Sequence, residues 1–184
     1  MGNFTKILGA GAMAALLAGC AATPDPFVTQ VLPKGEPLNI RNILAAHPNK
    51  KACIDYQAAT NSCASIITST VDGNTMISNE LAALKVPNST AIQNVEIITR
   101  SMLQGDRACV RGEDVSVTGR DPMSAILLGA TRDTINQFGG AVCGTYYRSG
   151  DGYIVSSVGA NGQPFPPGDT KFQFILGDLK LRAQ

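Results

Sequence analysis

The sequence predicts an α+β domain: a mainly antiparallel sheet of about six or seven short strands, two packed helices, and two disulfides stapling the whole. Three observations lead there. Short runs rich in Ile, Val, Thr and Tyr are separated by turn signals such as Asp72-Gly73-Asn74, the pattern of hairpins. Two longer segments carry apolar residues at helical spacing. Cys53, Cys63, Cys109 and Cys143 make an even set, which reads as two disulfides in an exported domain.

The chain opens with Met1-Gly2-Asn3-Phe4-Thr5-Lys6 and an apolar run from Ile7 to Gly19. One positive charge ahead of such a run has the form of a secretory signal peptide. The run is too short to cross a hydrocarbon core of ~30 Å, which takes roughly 20 apolar residues as a helix. It ends in Leu17-Ala18-Gly19-Cys20. Here the chain resembles the bacterial lipoprotein class, whose lipobox reads Leu, small, small, Cys; the resemblance covers residues 1–20 alone. It implies cleavage before Cys20 and a diacylglycerol on the Cys20 thiol. Two acyl chains anchor stably where one is marginal. An ordinary signal peptide followed by a coincidental cysteine is the plainer alternative. In the same class an Asp after the lipidated cysteine often marks inner-membrane retention. Ala21 stands there, which implies the periplasmic face of the outer membrane. The expected organisation is a signal peptide over 1–19, a lipidated N-terminus and flexible Pro-rich linker over 20–37, and a single globular domain over 38–184.

Cleavage would remove Lys6 and no acid, leaving the mature chain without a formal charge excess. No basic run exceeds Lys50-Lys51, so nucleic-acid binding, which needs a basic patch, is not expected.

The elements follow in order. A short helix is expected from Pro37 to Ala46, stopped near His47 by Pro48. Residues 52–71 read as two strands around the turn Ala59-Thr60-Asn61-Ser62, and Thr75 to Leu81 as a third. Thr90 with Gln93 matches a capping box, and Ala91, Val95, Ile98 and Met102 fall at helical spacing before Gly105; this predicts the first long helix. Ala108 to Val117 reads as a strand. The second long helix has Asp121 as N-cap, Pro122 at its first position, a stripe of Met123, Leu127, Ala130, Thr134 and Phe138, and Gly139-Gly140 as its stop. Val142–Arg148 and Tyr153–Val158 form a hairpin, and Lys171–Leu176 a final strand, with Leu179 and Leu181 as a possible continuation.

Four cysteines allow three pairings. The hairpin favours Cys53–Cys63. Cys109 and Cys143 each lie four residues after a helix-ending Gly, Gly105 and Gly139; parallel neighbouring strands would then place them at equal depth. A metal site is the competing reading, but no two of these cysteines have the close spacing of a zinc site, and His47 is the only histidine.

No catalytic constellation emerges. There is no phosphate-binding loop, no Gly-x-Ser-x-Gly elbow and no Ser-x-x-Lys. His47 reads as a helix-end residue rather than a base. Glu80, Glu96, Glu113 and Asp114 are the candidates for a carboxylate pair, with a solvated surface role as the alternative reading for each. The mixed charges of Arg107 to Asp121 read as a solvated face or a contact surface, and Phe165 in Gln163-Pro164-Phe165-Pro166-Pro167 as a docking residue or a lid on the core. The expectation is an outer-membrane lipoprotein with no cofactor, held by lipid on Cys20 and working with a protein partner as an accessory of an envelope assembly or secretion system. A carboxylate-dependent cell-wall hydrolase, or a small-ligand or lipid binder, is the alternative.

Overall fold

The computed structural model describes residues 31–85, 91–118 and 122–183. Along the chain run α1 (Ile40–Ala46), β1 (Lys51–Ile54), β2 (Ser62–Cys63), β3 (Ser65–Asp72), β4 (Thr75–Lys85), β5 (Ile92–Gln104), β6 (Arg107–Arg111), β7 (Val115–Thr118), α2 (Pro122–Gln137), β8 (Ala141–Ser149), β9 (Gly152–Gly159), β10 (Thr170–Ile175) and β11 (Lys180–Leu181). Cys20, the signal segment and most of the expected linker lie outside the described residues, as do Arg120 and Asp121.

The architecture is a closed barrel. β1, β3, β4, β5, β6, β8, β9 and β10 pair in that order, every pair antiparallel, and β10 returns to pair with β1. Eight strands in sequence order make an up-and-down barrel, which leaves no edge strand in the ring. β7 continues the line of β6 along β5 after a single 3-10 turn, Gly112–Asp114. β2 and β11 form a short parallel pair of their own.

Inward and outward positions alternate. On β5, Val95, Ile97, Thr99, Ser101 and Leu103 are buried, while the residues between them are half-buried or exposed. Outward positions include Glu96, Arg100, Arg107, Arg111 and Lys171. A membrane-spanning barrel has the inverse order, an apolar band outside and a polar interior. Among the described residues no helix is long and apolar enough to cross a membrane.

Each end of the barrel is covered. α2 packs with β7 and β8 over a cluster of Val95, Ile97, Val110, Val115, Leu127, Ile135, Val142 and Phe165. Its C-terminus closes as a Schellman motif: Gly140 N–H donates to Ile135 O at 3.0 Å and Gly139 N–H to Asn136 O at 3.1 Å, with Gly139 at φ +92°. Arg132 ties the helix to the chain below, donating to Gly112 O at 3.0 Å and Val115 O at 3.1 Å. At the other end α1 lays Ile40 and Ile43 on Ala52, Ile54, Met76, Leu103, Tyr146 and Phe172.

These findings correct the predicted fold class. The sheet is a ring of eight strands rather than a layer of six or seven, and the two helices cap its ends rather than packing together on one face. The segment predicted as the first long helix is β5. Its β-branched residues favour a strand, and its period is two: Ile98 points outward and is half-buried there, which hid the alternation of Val95, Ile97 and Thr99. Gly105, expected as a helix stop, instead takes φ +64° in the tight turn to β6. Leu181 does not extend β10; it pairs with Cys63 across β11 and β2.

Both disulfides join the pairs favoured from the sequence, Cys53–Cys63 and Cys109–Cys143. The reason for the second differs from the expected one. β6 and β8 are antiparallel neighbours, and Cys109 lies directly opposite Cys143 in their register, both facing outward. Closing a loop with a sequence separation of 34 contributes roughly 3–4 kcal/mol in the chain-entropy model. The N-terminal approach, expected as linker, is held to the barrel: Asp169 accepts from Leu32 N–H at 2.7 Å and from Lys34 Nζ at 2.8 Å, and Leu38 N–H donates to Tyr146 O at 2.8 Å. The amide and the lysine together hold the Asp169 carboxyl below its ordinary range, against the opposing effect of its burial.

Candidate functional site

An eight-stranded barrel either fills its interior with side chains or holds one small ligand. This one does each in a different half. Between the polar middle of the barrel and α1 lies a cavity of about 70 Å³. Exposed Lys50 and the α1 residues Ile40 and Leu44 line its outer end, so it opens beneath that helix.

Three strands supply a polar wall. Ser69 of β3, Ser78 of β4 and Thr99 of β5 face one another in register, forming a row of hydroxyls across the sheet. Ser69 Oγ and Ser78 Oγ lie 2.9 Å apart in a hydrogen bond. Glu80 of β4 lies on the α2 side of this row, opposite Ile97, and Ser101 of β5 on the α1 side, opposite Met76, both buried. Across the barrel, Tyr146, Phe172 and Phe174 form an aromatic wall, with the Phe172 and Phe174 rings 5.7 Å apart. Gly144 lets Val155 pack against that wall: a Cβ there would lie 2.9 Å from Val155 Cγ2.

Glu80 is the unusual member. It is 5 % exposed, and its Oε1 is buried with no hydrogen-bond partner. Burial pushes its carboxyl up to about 7, partly opposed by the nearby Ser65 hydroxyl. Among the described residues no other carboxyl, and no cation but Lys50, lines the cavity. Burial likewise raises the Tyr146 phenol to about 12, keeping it protonated at any ordinary pH.

His47 ends α1 and fastens it. Its ring stacks on Phe174 at 4.5 Å, and its Nε2 lies 2.8 Å from Tyr153 Oη. Arg148 donates to that same oxygen at 2.8 Å. His47 thus packs on Phe174, which lines the cavity, but is not itself among the lining residues.

The other sequence candidates do not converge on the cavity. Glu96 faces outward and accepts from Asn79 Nδ2. Glu113 is exposed in the turn before β7, paired with Arg111 at 3.3 Å, and Asp114 follows it there. The two-carboxylate arrangement of a glycan hydrolase is not assembled among the described residues. Phe165 folds inward, fully buried and edge-on to Phe138 at 4.9 Å, so it covers the core instead of docking outside it. No described group of His, Cys, Asp and Glu could hold a metal ion.

The hydroxyl row escaped sequence reasoning, and Glu80 was read for a different chemistry. The available signal was polar substitution on an alternating apolar face: Met76, Ser78, Glu80, Ala82 on β4, and Ile97, Thr99, Ser101, Leu103 on β5. It is readable only once β5 is taken as a strand. Compared with protein families, curated proteins and solved structures, the chain finds no match.

Proposed function

We propose that this protein binds a small molecule inside its barrel while tethered by lipid on Cys20 to the periplasmic face of the outer membrane. One observation carries the binding reading: a carboxyl with an unpartnered oxygen, Glu80, faces a cavity that opens beneath a short helix. A buried polar group without a partner costs on the order of 1–3 kcal/mol, and a ligand that supplies the partner would recover that cost. The anchor half of the reading rests on the lipobox ending at Cys20. The accessory reading has less support, because the large exposed apolar residues are spread over the chain: Val31 ahead of α1, Leu81 on β4, Ile92 and Met102 at opposite ends of β5, Ile126 on α2, Val158 on β9 and Leu176 beyond β10. Exposed apolar residues scattered in this way are normal for a protein surface.

The test fills the cavity. Ala108 is buried, faces inward from β6 and lines the cavity, so Ala108→Leu would occupy much of its volume. Native mass spectrometry of the protein isolated from its membranes is expected to find a bound small molecule in the wild type and none in Ala108→Leu. Equal, empty masses for both proteins would reject the binding reading.

A further inference from the structure

We infer that the cavity takes the ammonium head of a primary monoamine, with the head between Glu80 and the hydroxyls of Ser78 and Thr99 and the carbon body against Tyr146 and Phe172. The inference rests on the cavity reading above and names the ligand class for it.

Charge makes the first argument. Among the described residues Glu80 is the only ionisable acid in the cavity wall and Lys50, at the mouth, the only cation, so the charge deep in the cavity is negative once Glu80 releases its proton. A cation entering from the α1 end meets an attractive group at the bottom, whereas a fatty acid or other anion would place its charge beside a like one. Donor count makes the second. An ammonium has three N–H donors and no acceptor. The wall offers acceptors to match: Glu80 Oε1, which has no partner, and the hydroxyl oxygens of Ser78 and Thr99, which are direct cross-strand neighbours in register. Cross-strand pairs hold their Cβ atoms about 5 Å apart, a spacing that one small head group can bridge. The facing wall is aromatic, an apolar surface for the carbon body.

Size and the mouth narrow the class. An engineered cavity of about 150 Å³ holds benzene, so a volume of about 70 Å³ accommodates a head of about three or four heavy atoms. A longer chain would leave beneath α1. A second positive charge there would meet Lys50, which argues for a monoamine over a polyamine.

Ligand-detected NMR titration of the purified, disulfide-bonded protein tests this with propylammonium, n-propanol and propionate as probes. The expected order is propylammonium about tenfold or more tighter than n-propanol, with no binding of propionate. In Glu80→Gln the ratio of amine to alcohol affinity should fall to about one. Lowering the pH from about 7.5 to about 5.5 should weaken propylammonium by about tenfold or more, since the carboxyl takes up its proton across that range, and should leave n-propanol unchanged. If n-propanol binds as tightly as the amine, or Glu80→Gln leaves the ratio intact, the ammonium assignment is overturned while the cavity reading stands. If none of the probes binds, both are overturned.

Discussion

The two ends of the barrel use the same strands for opposite purposes. At the α2 end the inward positions of β4, β5, β6 and β8 are Ala82, Val95, Ile97, Val110 and Val142, and a helix of 16 residues with Phe165 seals them. At the α1 end the cover is a helix of 7 residues that buries Ile40 and Ile43 on Ala52, Ile54, Met76, Leu103 and Phe172, and between the two ends runs a polar belt of Ser69, Ser78, Glu80, Thr99 and Ser101. So short a helix has little stability of its own. It is held by its own Asn39 cap, by Leu38 on Tyr146 and by His47 on Tyr153. One end is sealed by a long helix, and the other is closed by a light cover above the polar belt. Local opening should therefore concentrate at α1, because regions with few buried apolar contacts open most readily.

Truncation of the sealed end should have the largest effect. Phe165 is fully buried against Phe138, so Phe165→Ala should cost about 3–5 kcal/mol of global stability. Ile40→Ala at the other end should cost about 2 kcal/mol, the low side of its class, because α1 can lift without unfolding the ring. Urea denaturation of both variants measures the difference. Equal losses would mean that α1 is as integral to the barrel as α2, and the contrast between the ends would fail.

Glu80 offers a sharper test. An unfolded chain releases this proton near the ordinary 4.5, whereas the folded barrel keeps it until about 7. Its contribution to stability is therefore fully present below 4.5, declines as pH rises through that window and stays lost above it. The change amounts to about 3 kcal/mol at most. Glu80→Gln removes the titration. The variant should be more stable than the wild type at pH 8, and the gap should close towards pH 4.5. Urea midpoints across that range decide the matter, and two parallel curves would show that Glu80 is solvated in the folded protein.

What the sequence made legible was the local chemistry of turns and staples. Asp72-Gly73-Asn74, the hairpin around Gly150, the Gly139-Gly140 stop and the Cys53–Cys63 pair could be read because each depends on a few nearby residues, whereas Cys109–Cys143 was reached by an argument from parallel strands that the antiparallel register replaces. Ring closure could not be read. It depends on β10 meeting β1, whose residues Phe172 and Ile54 are far apart in sequence, and no local pattern encodes that contact. The site was lost for a related reason. Thr90 and Gln93 resemble a helix start, and Ile98 breaks the alternation because half-buried outer positions of a barrel tolerate apolar residues. Once β5 was taken as a helix, Thr99 and Ser101 had no face in common with Ser78 and Glu80. Phe165 shows the reverse case. Its Pro-rich setting left docking and lid open, and only the fold could choose between them.

The smallest effect should come from His47, and its sign opposes that of Glu80. Arg148 donates to Tyr153 Oη, and His47 Nε2 shares a hydrogen bond with that same oxygen. The other ring nitrogen, Nδ1, is buried without a partner. Burial, then Lys50, then Arg148 lower the His47 pKa below the ordinary 6.5. Phe174 and the Tyr153 phenol complete its surroundings, and no carboxylate is among the groups that shift it. The contribution of His47 is thus present above pH 6.5 and lost as pH falls through the lowered folded value. His47→Phe retains a ring to stack on Phe174 and deletes the hydrogen bond to Tyr153. It should weaken the hold on α1 by about 1 kcal/mol at pH 7.5 and abolish the acid-side loosening. Amide exchange of α1, with α2 as the internal reference, reads this directly. If the α1 amides of the variant follow the wild-type pH profile, the fastening is made by Ile40 and Ile43 alone, and the cover over Glu80 is held by packing rather than by a titrating latch.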